Sequence, residues 1–250
     1  MSDRIFWIGD STVQENRIDT WPQCGIGQVL YLYLKPNVQV CNYAKNGRST
    51  RSFLAEGRFS AVESALDSGD LLFIQFGHND EKLEDPSRYT SPDEYAANLH
   101  HFAHAAQERG ARPVLITPIV RRKFMAGNLQ PTHGEYPQAV RTLAKTEGLP
   151  LIDLNDATRC VVQSAGQKKS RSFYMNLDAG CFPNYPNGKQ DDSHLQYIGA
   201  VCFAALVARG LKDLGAPYAG LLADGIRADP IEMVCCKTND AFRSLHNKRR

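Results

Sequence analysis

A hydroxyl, an imidazole and a carboxylate of this 250-residue chain sit where chemistry can use them. Ser11 closes the run Ile5-Phe6-Trp7-Ile8-Gly9-Asp10-Ser11, in which an apolar stretch of strand length gives way abruptly to small polar residues. That pattern reads as a buried strand whose carboxyl end hands a hydroxyl to a turn. A serine hydroxyl attacks an ester only when a base takes its proton and donors hold the oxyanion that forms. His194 is the candidate base, standing just before a segment of helical period with Asp191 upstream of it. A turn can bring that carboxylate to Nδ1 and leave Nε2 for Ser11, a triad in the order Ser, Asp, His. Asp192 is the competing acid, placed second because a tight turn points its side chain elsewhere.

Three groups are candidate oxyanion donors: the Ser11 N–H, the Gly47 N–H and the side-chain amide of Asn79. Each alone is explained by a turn or a cap. Their interest lies in convergence at strand ends. Arg48 and Arg51 flank the loop that carries Gly47, where a guanidinium either matches a uronate carboxylate or pairs with neighbouring acids. His133 precedes a helical segment, so it serves the helix start or touches substrate. His100, His101, His104 and His246 read as surface or structural residues, and with no third ligand near His101 and His104 no metal site is expected.

The elements that must position these groups follow from periodicity. Strands are predicted at 5–9, 38–42, 71–76, 113–117 and 150–154, and helices at 27–34, 60–68, 91–109, 135–147, 156–164 and 195–214. Alternating strands and helices predict a three-layer α/β/α sandwich around a mostly parallel five-stranded sheet. In such sheets ligands bind at the carboxyl ends of the strands. Ser11, the Asn46-Gly47-Arg48-Ser49 loop and Gly77-His78-Asn79-Asp80 all fall there. The polar stretch 164–190 reads as a long loop, a lid facing substrate, and leads into Asp191 and His194.

Residues 1–214 are read as one domain and 215–250 as an extension that joins it or lies on its surface, where a second copy of the chain can also dock. A net charge of +2 gives no whole-chain footprint for nucleic acid, and no apolar run reaches the roughly 20 residues of a membrane span. The charged start passes directly into the first strand. Seven cysteines at irregular spacing, two of them the neighbours Cys235 and Cys236, suggest neither a disulfide framework nor a zinc site. A cytoplasmic protein is expected.

In order along the chain, Gly9-Asp10-Ser11, Gly47, Gly77-His78-Asn79-Asp80 and Asp191-x-x-His194 resemble the four blocks of the SGNH (GDSL-like) hydrolases. Within that superfamily, the stretch from Asn42 to Phe53, Glu56-Gly57-Arg58-Phe59, Phe76 to Asp80, Thr132 to Pro137 and Pro150 to Leu154 look like the rhamnogalacturonan acetylesterases. The resemblance implies a flavodoxin-like SGNH fold, Ser11 as nucleophile, Asp191 and His194 completing the triad, and Ser11, Gly47 and Asn79 forming the oxyanion hole. It also implies removal of O-acetyl groups from pectic oligosaccharides without metal or organic cofactor. Other readings are a deacetylase of another carbohydrate ester such as acetyl-xylo-oligosaccharide, a thioesterase or lysophospholipase, or a non-catalytic carbohydrate-binding protein. Polar loops around the predicted site lean toward sugar esters over lipids. A histidine base further predicts activity rising with pH across an apparent pKa near the ordinary value of about 6.5.

Overall fold

The alternation Ile5, Trp7 against Phe6, Ile8 in the first strand already requires apolar cover on both sides of a sheet. A computed structural model, which describes residues 3–225, provides it. Strands β1 (Arg4–Gly9), β2 (Gln39–Asn42), β3 (Leu71–Gln75), β4 (Arg112–Ile116) and β7 (Leu151–Ile152) form one sheet in the order β2-β1-β3-β4-β7. Every pairing is parallel, with Ile5 opposite Val40, Ile8 opposite Ile74 and Leu115 opposite Leu151. The predicted sandwich is therefore observed.

Two cores follow from the strand alternation. Ile5, Trp7, Phe73, Val114 and Ile116 face one way, toward α1 (Ile26–Val29), α6 (Leu154–Lys169) and α7 (Tyr197–Asp213). Phe6, Ile8, Leu72, Ile74 and Leu115 face the other, toward α2 (Thr50–Ala55), α3 (Arg58–Ala65), α4 (Pro92–Glu108) and α5 (Tyr136–Glu147). Helix starts are set locally: Ser91 and Glu94 form a capping box at α4 with Pro92 beside it, and Ser49 and Ser52 do the same at α2. Gly148, at φ 62°, ends α5.

Three expectations need correction. The helix predicted to end at 164 leaves helical geometry at Gly166, whose φ of 68° and ψ of 173° separate it from a further helical turn that ends at Lys169. A 3-10 turn follows at Ser170–Phe173, so the long loop begins at Tyr174 rather than at 164. Helix α2 was not predicted, and neither was the hairpin of β5 (Phe124–Met125) and β6 (Asn128–Leu129), turned by Ala126 and Gly127 with positive φ. These elements are too short for a periodicity to register. From Gly215 to Gly225 the chain stays on the core: Leu221 is buried, and Lys35 N–H and Ala223 N–H bond Leu221 O and Tyr33 O. The basic end Asn247–Arg250, Cys235, Cys236 and His246 lie outside the described residues.

Candidate active site

Asp10 builds the turn that presents Ser11. Its Oδ1 accepts the Thr12 N–H at 2.9 Å and the Thr12 hydroxyl at 2.7 Å, while its carbonyl accepts from Val13 and Gln14. Burial raises the Asp10 carboxyl, against the lowering influence of the Thr12 bonds and the His194 charge. Gly9 is required by closeness, since a Cβ there would lie 2.6 Å from Gln75 O. Ser11 is left 9% exposed at the carboxyl end of β1.

The histidine is placed by a different set of bonds. Asp191 Oδ2 meets His194 Nδ1 at 2.8 Å, and Asp191 Oδ1 accepts the Ser193 and His194 N–H groups, each at 2.9 Å. Burial works to raise Asp191, yet the bonds from His194 and Ser193 win and hold it well below the usual carboxylate range. An ionised carboxylate on Nδ1 fixes the tautomer and frees Nε2. What brings the two turns to one place is the segment between them. Leu195 O accepts the Cys24 N–H and Pro22 O the Tyr197 N–H, while Thr12 O and Val13 O accept from Ile26 and Gly27. Among the described residues no hydrogen bond yet joins Ser11 Oγ to His194 Nε2; such bonds commonly tighten only when substrate binds.

The three groups expected as donors differ in their partners. Neither the Ser11 N–H nor the Gly47 N–H meets an acceptor among the described residues. Gly47 adopts φ 77°, a conformation that favours glycine, and its loop is braced where Gln14 Oε1 accepts the Asn46 N–H. Asn79 donates one amide hydrogen to Arg48 O at 3.0 Å, which ties its loop to that of Gly47 and leaves the second hydrogen free.

Other predicted residues are placed differently. Arg48 Nε lies 3.0 Å from both Glu56 carboxylate oxygens and Arg51 Nη2 lies 3.1 Å from both of Glu94, so the ion-pair alternative describes each. His133 is 3% exposed with Nδ1 on Glu81 at 3.1 Å and Nε2 on Ile119 O at 2.8 Å, a strut with no polar atom left for substrate. Asp192, the competing acid, is held by Arg122 Nη1 at 2.9 Å and Asn176 at 2.7 Å.

Arg122, and the role of Asp80 within its block, are not expected from the sequence. Arg122 is buried; it donates its N–H to Asp192 O, Nε to Ser170 Oγ, and Nη2 to Gln167 O, so it clamps the turn that carries Asp191 and His194. Asp80, fully buried, accepts the Thr50 N–H at 2.9 Å and the Thr50 hydroxyl at 2.6 Å, anchoring α2 behind the Gly47 loop.

The sequence model of the GDSL-like Lipase/Acylhydrolase family matches residues 7–172. This chain belongs to that family. Within it, the chain is 39% identical over 215 residues to rhamnogalacturonan acetylesterase RhgT of Bacillus subtilis, covering 86% of this chain and 91% of that one. It is 36% identical over 218 residues to the probable rhamnogalacturonan acetylesterase YesY of the same organism, covering 87% and 96%. Among solved structures, the YxiM protein of B. subtilis aligns with a TM-score of 0.75 and 27% identity, over 87% of this chain and 58% of that one. As a GDSL-like acylhydrolase the chain is an ester hydrolase, and the Ser11 turn at the head of β1 lies within the matched span. No helix among the described residues is long and apolar enough to cross a membrane.

Proposed function

We propose that this chain is a serine esterase that removes O-acetyl groups from pectic, rhamnogalacturonan-type oligosaccharides, with Ser11, His194 and Asp191 as triad. The observation that carries the reading is the 2.8 Å bond between Asp191 and His194 on a turn stitched, through residues 22–27, to the turn of Ser11. The names of RhgT and YesY support the acetyl-sugar substrate.

In this mechanism Ser11 Oγ attacks the acetyl carbonyl carbon while its proton passes to His194 Nε2. Negative charge on the former carbonyl oxygen is met by the Ser11 and Gly47 N–H groups and the free Asn79 hydrogen. Collapse expels the sugar hydroxyl, which takes the proton from His194 and leaves an acetyl-serine. Water, deprotonated by His194, then attacks that ester, and acetate departs as Ser11 regains its proton. Asp191 keeps the imidazole oriented and steadies its charged form.

Acetate release from acetylated rhamnogalacturonan and xylo-oligosaccharides, with Ser11→Ala as control, tests the reading. Release from the pectic substrate, loss in the variant and labelling of Ser11 by an organophosphonate are expected. Preference for the xylo-oligosaccharide would transfer the substrate to xylan, and labelling at another serine would remove the triad.

A further inference from the structure

Around the Gly47 loop, Arg48 bonds Glu56 through Nε and Asn46 O through Nη1, Arg51 bonds Glu94 through Nη2, and Arg121 bonds Glu81, Thr132 O and His78 O. Arg88 also has a carboxylate partner, and what distinguishes it is its place over Gly47. Its Nε faces Asp85 Oδ2 at 3.0 Å, but neither Nη makes a hydrogen bond among the described residues, and its side chain is 37% exposed. The guanidinium lies against the oxyanion loop: a Cβ built on Gly47 would stand 3.7 Å from Cζ, 3.7 Å from Nη1 and 3.8 Å from Nη2.

The position is built rather than incidental. Arg88 rides on the loop that leaves Asn79, and that loop is closed at its base where Asp80 O accepts the Thr90 N–H at 2.9 Å. The Tyr136 hydroxyl pins the same base, reaching Asp80 O at 3.2 Å and Thr90 O at 2.5 Å. Asp85, whose carbonyl accepts the Arg88 and Tyr89 N–H groups, holds the guanidinium at Nε and leaves both Nη groups without a partner among the described residues. Two parallel N–H donors on one open edge are the complement of a carboxylate.

We infer that Arg88 is a specificity-determining residue, binding the carboxylate of a uronic acid whose ring also carries the acetyl ester seated at Ser11 and Gly47. The inference rests on the pectic reading and assigns to Arg88 the role that the sequence suggested for Arg48 and Arg51. A ring that spans from the acyl site to the Nη edge is oriented at both ends. A neutral sugar is held at one.

Arg88→Ala and Arg88→Lys, compared with the unaltered chain on an acetylated galacturonide, an acetylated xylo-oligosaccharide and 4-nitrophenyl acetate, test it. For Arg88→Ala, KM on the galacturonide is expected to rise about tenfold or more beyond any change on the other two substrates. Arg88→Lys should recover only part, because an ammonium lacks the fork. The galacturonide advantage of the unaltered chain should also shrink as salt is raised. A galacturonide oligomer without acetyl groups should inhibit 4-nitrophenyl acetate hydrolysis more strongly than its methyl ester in the unaltered chain, and equally in Arg88→Ala. Equal losses on all three substrates, or an unchanged galacturonide KM, would overturn the assignment. If the unaltered chain releases no acetate from any galacturonide, the pectic reading fails. The inhibition experiment then still reads carboxylate binding by Arg88, and equal inhibition by acid and ester in both proteins would overturn that as well.

Discussion

At the residue scale the proposed mechanism depends on donors without a protein acceptor among the described residues. In that mechanism the Ser11 and Gly47 N–H groups meet an oxygen that carries full charge only near the transition state, so they favour it over the ground state. Asn79 differs because one of its hydrogens already bonds Arg48 O. Asn79→Ala removes both the proposed oxyanion donor and the tie between two loops. Turnover of 4-nitrophenyl acetate is expected to fall roughly a hundredfold or more, read by steady-state kinetics. Asn79→Asp should not restore it, since a carboxylate offers no hydrogen to an oxyanion.

Among the elements, the connection after β4 is the one that, in the proposed mechanism, holds the base in position. Arg122 there reaches across to the turn of Asp191 and His194 and uses each nitrogen of its guanidinium, on Ser170, Asp192 and Gln167. Arg122→Ala leaves the Asp192 carboxylate with Asn176 alone and frees the turn to drift. The expected outcome is a kcat loss of about tenfold to a hundredfold, as a small displacement of a reacting group produces. KM for a small ester should change little. Arg122→Lys, which keeps the charge but not the fork, should fall between. Equal kcat in all three proteins would show that the turn holds itself.

For the whole molecule, one buried and one half-buried carboxylate give stability a pH dependence of two signs. Burial, the largest influence, lifts Asp80 to about 7, against the Thr50 bonds that lower it and with the nearby Asp10 adding to the rise. An unfolded aspartate titrates near 3.9, so from about pH 4 to 7 the folded chain holds a proton that the unfolded chain has lost. This contribution is complete below about pH 4 and is lost as the pH rises to 7. Asp191 runs the other way: its depressed folded value gives stability that is present above about pH 4 and lost in more acid solution. Thermal melts of Asp80→Asn and Asp191→Asn against the unaltered chain should therefore diverge in separate windows. The difference for Asp80→Asn should change between pH 4 and 7, and that for Asp191→Asn below pH 4. A constant difference for Asp80→Asn across pH 4 to 7 would mean that the group ionises normally.

Much of this protein is written locally along its chain. The alternation in β1, the cap of Ser91 with Glu94 and the polar breaks after each strand are properties of neighbouring residues, and they are enough to determine the sandwich and the edge where Ser11, Gly47 and Asn79 gather. Asp191 and His194 lie three residues apart, so their bond too was legible. Only the tertiary structure decided which charges are free. Arg51 meets Glu94 across 43 positions and Arg122 meets Asp192 across 70, pairings that depend on which loops fold side by side. The same holds for His133, whose two nitrogens are used by Glu81 and Ile119 O. A charged side chain announces its type in the sequence, but its partner is chosen by packing among distant segments, and the partner determines whether it holds the fold together or remains open to a ligand.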